Sequence, residues 1–502
     1  MLNRQALNIL ANFSGVGARL VFSLAFNIIY FQLLGNESYG LIGFFTSLAA
    51  LSSLFDLGLN QTTVREVAKR EADANRATEL RSVVFTLQFL LGGIGLSIGL
   101  LVALGSQWIA TSWFSVARLT VHEVTASVAL MGCALALIFP VQFYYGTLIG
   151  LQRQVLSNAI LVAATAFRGG LSLVALFGFG SSPVIFFFAQ TVASAIETTV
   201  LACVIWRLLP SSRQSLRFDT RLLQATWKFT SGAWLAVTFA QLAAVCDKII
   251  LSALLPLHLF GLYSLAVTMT TTIQRLAPPF TNSYFPHFVR LLEQDRPDIL
   301  VDAYRQVSEF ASALFLAAGL SLVVYAGPLA HLLSPNPEGA AGLALLVALL
   351  ATANTLNAEM ALPFSLLFAH GITAIALRIN FALCVLYLAA LAVLVPHYGV
   401  NVAAGLWLAA NALALPMLIV MTHRVILPGQ AGSWLARAIL LPGCAAALTL
   451  TVGVAVMPNL SGLPLLIWIG VNGVLALGAA LLATPETRGV IRAHFIGHGG
   501  GA

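Results

Sequence analysis

The residues of this chain that could do chemistry are charged side chains inside long apolar runs. Arg19 lies about 15 Å along the first run, and Arg275 lies at a similar depth in the eighth, taking the helical rise per residue. A charge in hydrocarbon costs about 2.5–3.5 kcal/mol on insertion scales, so such residues usually face a protein interior or a wet cavity. Each arginine is therefore a candidate ligand for an anion. The alternative is a structural partner for a carboxylate or for backbone carbonyls at a helix break.

Four further charges are candidates for gating or ion coupling. Asp56 lies about 6 Å from the inner end of the second run, where it could pair with Arg19, bind a proton or sodium ion, or form an inner-gate salt bridge. Asp247 and Lys248 are neighbours whose side chains point about 100° apart on a helix, so we expect Lys248 to snorkel outward while Asp247 faces inward at an outer gate. Glu359 is an acid without an obvious mate. It is a candidate protonation site, or else a hydrogen-bond acceptor for Asn354 or Asn357.

A further pair of charged residues is predicted to have a structural role. Arg168 and Glu197 lie on consecutive apolar runs at comparable depth, which predicts an intramembrane ion pair. No metal or cofactor site is expected, because no histidine pair has ligand spacing and no cysteine lies in a CxxC motif. The chain also lacks a P-loop, an HExxH motif and a usable GxSxG motif. A membrane-bound polymerase or glycosyltransferase is disfavoured, because the longest outer loop, 105–123, has few side chains that could act in catalysis.

The elements that position these charges are membrane-spanning helices. The chain of 502 residues is 59% hydrophobic and only 9% charged, which is typical of a polytopic membrane protein. The apolar runs predict an all-α fold of about fourteen transmembrane helices. They cover residues 9–34, 41–59, 83–104, 124–149, 155–179, 184–208, 229–254, 259–284, 310–333, 340–368, 372–395, 402–426, 435–457 and 463–482. We expect the eighth to be kinked or broken at Pro278-Pro279.

The basic residues predict the orientation of these helices. If the N-terminus is inside, 19 of the 25 lysines and arginines fall on the inner side, five within spans, and only Arg118 outside. This positive-inside pattern predicts cytoplasmic termini and argues against nucleic acid as a partner, although the net charge is +7. The first run lacks the short apolar core and cleavage site of a signal peptide, so we expect it to be a spanning helix.

An internal repeat organises the helices into two halves. Tyr39-Gly40 recurs as Phe260-Gly261, and Ala189-Gln190 recurs as Ala410-Asn411, both at an offset of 221 residues. Six helices per unit is an even number, which predicts parallel lobes. The predicted domains are an N-lobe, a cytoplasmic linker, a C-lobe, and an extra helix pair with a tail: residues 1–208, 209–228, 229–427 and 428–502.

Several short motifs resemble the polysaccharide (oligosaccharide) flippase family, within the group that also holds lipid II flippases and drug/cation antiporters. The resemblance covers at least residues 8–427. It is carried by Asn12-Phe13-Ser14-Gly15, Leu34-Gly35-Asn36-Glu37-Ser38-Tyr39-Gly40, Phe55-Asp56-Leu57-Gly58-Leu59, Asp247-Lys248-Ile249-Ile250-Leu251, Phe260-Gly261-Leu262-Tyr263-Ser264 and Phe285-Pro286. The extra helix pair is similar to that of fourteen-helix members. In the lipid II branch such a pair is associated with a groove for the lipid tail.

The resemblance implies a function. In the family fold, helices one, two, seven and eight line one cleft, so Arg19 and Arg275 would share a cavity. Two guanidinium groups suit a pyrophosphate, because arginine grips oxygens bidentately and never deprotonates. The expected protein is a flippase of a bacterial inner membrane that moves a lipid-linked oligosaccharide. Its expected partners are the bilayer, H+ or Na+ as a coupling ion, and a polysaccharide polymerase with its assembly proteins. A multidrug or organic-cation antiporter is the alternative within the superfamily, and a non-transporting scaffold is the alternative outside it.

Overall fold

The computed structural model describes residues 2–52, 59–71, 76–210, 218, 245–334, 336–486 and 488. Within these ranges the side chains of residues 2–21, 24, 59–62, 65 and 373–377 are not described. Asp56, and with it most of the predicted 209–228 linker, lies outside the described residues.

The described ranges are helical, with no strand among them. We number the helices in chain order: α1 (Leu2–Ser52), α2 (Leu59–Glu71), α3 (Ala77–Leu104), α4 (Val121–Ile138), α5 (Val141–Gly150), α6 (Gln154–Phe179), α7 (Pro183–Leu208), α8 (Leu257–Gln274), α9 (Pro278–Glu293), α10 (Pro297–Val324), α11 (Ala326–Leu333), α12 (Pro337–Glu359), α13 (Ala361–Ala369), α14 (Thr373–Tyr398), α15 (Val400–Val425), α16 (Ala431–Ala455) and α17 (Gly462–Ala483). Residues 245–254 are also helical. Short π-helical segments occur at Ile109–Trp113 and, inside α16, at Leu435–Leu440.

Ten helical stretches in the described part of the chain are long and apolar enough to cross a membrane. A helix satisfies all of its backbone hydrogen bonds within one segment, and for this reason it is the form in which an apolar chain crosses hydrocarbon. The all-α membrane fold predicted from composition is therefore confirmed, while the number fourteen stays a prediction.

Gly35 turns α1 back on itself. Its φ of 75° and ψ of 174° are not helical and separate two arms. The hydroxyl of Tyr39 donates to Asn27 Oδ1 at 3.0 Å, and the Phe31 and Tyr39 ring centroids lie 5.4 Å apart. A straight helix would separate residues 27 and 39 by about 18 Å. The arms thus form a hairpin, and they correspond to the predicted apolar runs 9–34 and 41–59.

The repeat predicted from short motifs is visible in the helix lengths. Helices α3 and α10 each have 28 residues, and α6, α14, α7 and α15 each have 26. Corresponding helices begin 220, 219 and 217 residues apart, from 297 − 77, 373 − 154 and 400 − 183. The fourth span of each half is broken near a proline, at Phe139-Pro140 and at Met360. The eighth predicted run is likewise broken, at residues 275–277.

The chain divides into two compact units, Met1–Leu265 and Ala266–Ala502. This division falls inside α8, whereas the sequence places the lobe boundary at residues 209–228. The first unit has a buried core around Val67, Leu87 and Phe143. The second has one around Phe288, Tyr304 and Leu418. In the second unit, α16 and α17 pack against each other and against α10, so the extra helix pair is part of that unit.

Candidate functional site

The two arginines predicted to bind an anion lie in different settings. Arg19 is in the first arm of α1, and its side chain is outside the described residues. Arg275 follows the last residue of α8, in the break before Pro278, where it is exposed and its N–H contacts Thr271 O at 3.4 Å. The break exposes backbone carbonyls as well as the guanidinium group, so both interpretations of Arg275 remain predictions.

Asp247 and Lys248 do not point apart as predicted. Lys248 Nζ lies 3.6 Å from Asp247 Oδ1, and the same oxygen accepts the Lys248 N–H at 2.7 Å. Asp247 is buried, with 7% of its surface exposed. Turning the flexible lysine stem back toward the carboxylate offsets part of the cost of burying that charge. The helical angle between the Cβ atoms did not account for this flexibility.

Arg168 and Glu197 meet as an ion pair, with Arg168 Nη2 2.6 Å from Glu197 Oε2. Arg168 Nη1 also donates to Gln190 Oε1 at 3.1 Å and to Ser194 Oγ at 2.9 Å. Glu197 Oε1 accepts the Tyr145 hydroxyl at 3.0 Å. Both charges therefore have polar partners within the first unit, which is the arrangement that makes a buried pair tolerable. A purely structural role for the pair stays a prediction.

Glu359 has a different environment. It is the last residue of α12 and only 3% exposed. Its Oε2 accepts the Ser312 hydroxyl at 2.5 Å, whereas Oε1 has no hydrogen-bond partner among the described residues. Neither Asn354 nor Asn357 is its partner, contrary to the alternative that sequence proximity suggested. The carboxyl group thus has one satisfied oxygen and one available oxygen.

Asn354 and Asn357 belong instead to an amide network in the second unit. Gln274 Nε2 donates to both of their side-chain oxygens, at 3.0 and 3.1 Å. Asn357 Nδ2 donates to Asn411 Oδ1 at 2.8 Å, and Trp407 Nε1 donates to Asn354 Oδ1 at 3.0 Å. Sequence reasoning missed this network, although uncharged amides inside apolar runs were a visible signal.

The network also explains one repeat motif. Asn411 corresponds to Gln190 at the offset of 221 residues, and Gln190 is the amide that contacts Arg168 and Ser172 in the first unit. Corresponding helices of the two halves, α7 and α15, therefore each supply a buried amide at the centre of a polar network. The partners differ, since the position of Arg168 is occupied by Ala389 in the second half.

The polar motif at residues 35–40 has three further contacts that the sequence did not reveal. Glu37 is 7% exposed and accepts the backbone N–H groups of Ala117, Arg118 and Leu119 at 2.5, 2.8 and 3.0 Å. A carboxylate held by three N–H groups is a charge-assisted anchor for the loop that follows α3. The only signal in the sequence was an acid within the polar break between two apolar runs.

Gly40 and Gly261 allow two helices to approach each other within the first unit. A Cβ on Gly40 would lie 2.5 Å from Leu257 O, and a Cβ on Gly261 would overlap Asn36 O. Adding 221 to residues 36 and 40 gives 257 and 261, so each contact is the repeat image of the other. This reciprocity is the signature of two-fold related surfaces.

Comparison with known protein families identifies the family of this chain. Residues 6–292, more than half of the chain, match the family that is described as "Polysaccharide biosynthesis protein". The chain belongs to this family. Its membership agrees with the resemblance drawn from the short motifs. None of the curated proteins matches the chain.

Solved structures show that the fold is shared with transporters of the MOP superfamily. The lipid II flippase MurJ, in an inward closed conformation, is similar with a TM-score of 0.67 at 12% identity, over 98% of this chain and 100% of that one. An inward-facing multidrug resistance transporter of the MATE family has a TM-score of 0.62 at 15% identity, over 81% and 94%. A MOP superfamily transporter from Pyrococcus furiosus has a TM-score of 0.58 at 14% identity, over 85% and 96%.

Together, the family match and the apolar helices make this chain a multi-pass membrane protein of the polysaccharide biosynthesis family, with a fold shared with MOP superfamily transporters. The described residues contain no cluster of three or more histidine, cysteine or acidic side chains that could hold a metal ion.

Proposed function

We propose that the chain is a flippase that translocates a polyprenyl-pyrophosphate-linked oligosaccharide across the bacterial inner membrane by alternating access. The product would serve the synthesis of O-antigen, capsule or exopolysaccharide. Membership of the polysaccharide biosynthesis family over residues 6–292 is the observation that carries this proposal. The lipid II flippase is similar over 98% of the chain, including the C-terminal helix pair, whereas the multidrug transporter is similar over 81%.

The proposed substrate contacts are Arg19 and Arg275. A pyrophosphate carries about two negative charges, each of which needs several kcal/mol of compensation in a low-dielectric setting. Arginine supplies a permanent charge and two donors in the geometry of phosphate oxygens. A cation exporter would instead need acids facing its substrate, and cations at both candidate positions favour an anionic head group.

The remaining charges are proposed to serve the transport cycle. Asp56, Asp247 and Lys248 are the proposed gating residues, and Glu359 is the proposed site for a coupling H+ or Na+. The termini are proposed to be cytoplasmic. The expected partners are the lipid-linked oligosaccharide, the bilayer, and a polysaccharide polymerase with its assembly proteins.

Substitution of Arg19 tests the substrate site. In cells that depend on this chain for surface glycan, Arg19→Ala is expected to leave protein abundance unchanged and to abolish surface glycan, with the lipid-linked precursor accumulating. Arg19→Lys is expected to restore only part of the export, because lysine offers a point charge without the bidentate fork. Surface glycan, precursor and membrane-embedded protein would all be measured in the same cells.

The structural alternative for Arg19 predicts a different result. If Arg19 only neutralises Asp56, then Arg19→Ala protein should be degraded, and the double variant Arg19→Ala, Asp56→Ala should export glycan normally. Normal export by the double variant would refute the binding role. Arg118→Ala is the matched control, because Arg118 lies in a loop and is expected to have no effect.

The similarity to MATE structures makes organic-cation antiport a second candidate. Liposomes that contain the purified protein would then accumulate a fluorescent organic cation when a proton or sodium gradient is imposed. Flipping of a polyprenyl-pyrophosphate glycan without cation transport is the result that our proposal expects. Gradient-driven cation transport without flipping would favour the antiporter.

A further inference from the structure

A narrow cleft in the second unit lies apart from every residue assigned above. It is formed where α10 begins, α15 ends and α16 begins, and it is small and partly open to solvent. The side chains that matter to its chemistry are Tyr304, Arg305, Glu309, His423, Trp434 and Arg437.

Three aromatic rings in contact form the buried floor of this cleft. Tyr304, His423 and Trp434 are 0%, 1% and 5% exposed. The rings of Tyr304 and Trp434 lie parallel within 11°, with centroids 6.3 Å apart, and the His423 ring is 5.5 Å from that of Trp434. A tryptophan near the end of a membrane helix normally places its ring at the lipid interface. Trp434 instead faces the protein, so an interfacial anchor does not account for it.

The floor also carries unpaired polar atoms. Trp434 Nε1 and His423 Nε2 have no hydrogen-bond partner among the described residues. His423 Nδ1 is paired with Ile419 O at 2.9 Å, so Nε2 is the nitrogen left for a ligand. A buried N–H without an acceptor is costly, and the tryptophan N–H can only donate. Trp434 Nε1 is therefore a buried donor that an acceptor entering the cleft could satisfy.

The walls supply positive charge. Arg305 donates to Gln430 Oε1 at 2.8 Å, and its nearest carboxylate is the exposed Asp302 at 3.9 Å. Arg437 forms no ion pair within the part of the chain that the structure describes. Glu309 lies near both arginines, and its Oε2 accepts the Glu486 N–H at 3.0 Å. Among the lining side chains, two guanidinium groups face one carboxylate, which gives the lining a formal charge of +1, while Asp302 and Glu486 lie outside it.

The local backbone is unusual at the same place. The π-helical segment Leu435–Leu440 begins directly after Trp434 and contains Arg437. Such segments are rare and frequently occur at functional sites. Residues 434 and 437 lie one turn apart on one side of the helix, so the indole N–H and the guanidinium group serve the same cleft.

We propose that this cleft binds a phosphoryl group carrying one negative charge, as in the phosphodiester head group of an anionic membrane lipid. Arg305 and Arg437 balance its charge, and Trp434 Nε1 donates to one of its oxygens. Exposed apolar side chains within three residues of lining residues in sequence, Val425, Leu440 and Leu441, could give lipid tails a surface to lie on. They favour a lipid over free phosphate as the source of the group. This proposal does not rest on the flippase function.

The test uses the full chain in nanodiscs and compares thermal unfolding in phosphatidylcholine alone with unfolding in a mixture containing phosphatidylglycerol. Lipids retained by the purified protein are identified by mass spectrometry. A second arm adds inorganic phosphate to the phosphatidylcholine nanodiscs, which separates a free anion from a lipid head group. We expect phosphatidylglycerol to raise the melting temperature and to be retained.

Three variants locate the effect. Arg437→Gln and Trp434→Phe should each weaken phosphatidylglycerol binding about tenfold or more, since each removes a charged or charge-assisted contact. Arg424→Gln is the matched control, because Arg424 is an exposed arginine at the same end of α15 that does not line the cleft. Trp434→Phe also distinguishes a bound phosphoryl group from water that fills the cleft. In that case removal of the unpaired N–H leaves the response to phosphatidylglycerol unchanged.

Each result bears on the proposal. Stabilisation by phosphatidylglycerol that Arg437→Gln and Trp434→Phe lose and Arg424→Gln keeps supports a lipid head group. The same variant pattern with inorganic phosphate supports the phosphoryl site and assigns it to a free anion. Equal stability in all lipids, or an equal loss in Arg424→Gln, overturns the site and leaves only general surface electrostatics.

Discussion

At the scale of single residues, two buried carboxyl groups show opposite kinds of environment. Glu197 contacts Arg168 at 2.6 Å and Tyr145 at 3.0 Å, so both of its oxygens are used. Glu359 is more deeply buried, but among the described residues it accepts a hydrogen bond only from Ser312 and forms no ion pair. A buried carboxylate without a cation is several kcal/mol less favourable than a paired one. Glu359 is therefore suited to exchange a proton or a small cation, and Glu197 is not.

We predict that Glu359→Gln uncouples transport from its ion gradient. Glutamine keeps the shape and can still accept from Ser312, so folding should be preserved, but it cannot take up a proton or hold a cation by charge. The measurement is the initial rate of flipping in liposomes with an imposed pH or sodium gradient. Glu338→Gln is the control, because Glu338 is exposed in the first turn of the same helix. A Glu359→Gln rate that responds to the gradients as the parent protein does would leave Glu359 as a hydrogen-bond acceptor only.

At the scale of helices, glycines decide how closely α1 and α8 can approach each other. The Gly40 and Gly261 contacts in the first unit are direct backbone contacts, in which a methyl group would meet a carbonyl oxygen. Backbone cannot move aside as a flexible side chain can, so the helices would have to separate. The repeat motif that seemed a minor sequence pattern is thus a packing requirement in both halves.

We expect Gly40→Ala to destabilise the protein by about 1–3 kcal/mol, the usual cost of overpacking. Gly93→Ala is the control, because Gly93 is an exposed residue of α3 with nothing within 4 Å of an added Cβ. That change should be neutral or stabilising by up to about 1 kcal/mol, from helix propensity. Thermal unfolding of both variants in the same detergent would measure the difference. Equal melting temperatures would mean that the helices do not pack this closely in the protein.

At the scale of the whole molecule, the distribution of basic residues predicts which side faces the cytoplasm. Reporter fusions at Gln214 and Arg296 should read cytoplasmic, and fusions at Ser106 and Ser181 should read periplasmic. The physical reason is that lysine and arginine near helix ends resist translocation, and the predicted arrangement of spans places 19 of them on one side against one on the other. A periplasmic signal at Gln214 would contradict the arrangement of six helices on each side of the linker.

The sequence alone was sufficient for features that depend on local composition. The apolar runs at 155–179 and 184–208 match Gln154–Phe179 and Pro183–Leu208 within one residue, because hydropathy and prolines set helix ends locally. The Arg168–Glu197 contact was also accessible, since the helical rise places two residues of adjacent spans at one depth. The short motifs were sufficient to predict the family.

Only the tertiary structure decided which side chains meet across helices. Ser312 reaches Glu359 over 47 residues of chain, Glu37 binds a loop 80 residues away, and Tyr304, His423 and Trp434 come from three different helices. Hydropathy gives the depth of a residue but not the direction in which it faces, and it does not say which helix lies beside it. The direction that a side chain takes, as with Ser312 toward Glu359, follows from partners that are in place only once the helices have packed.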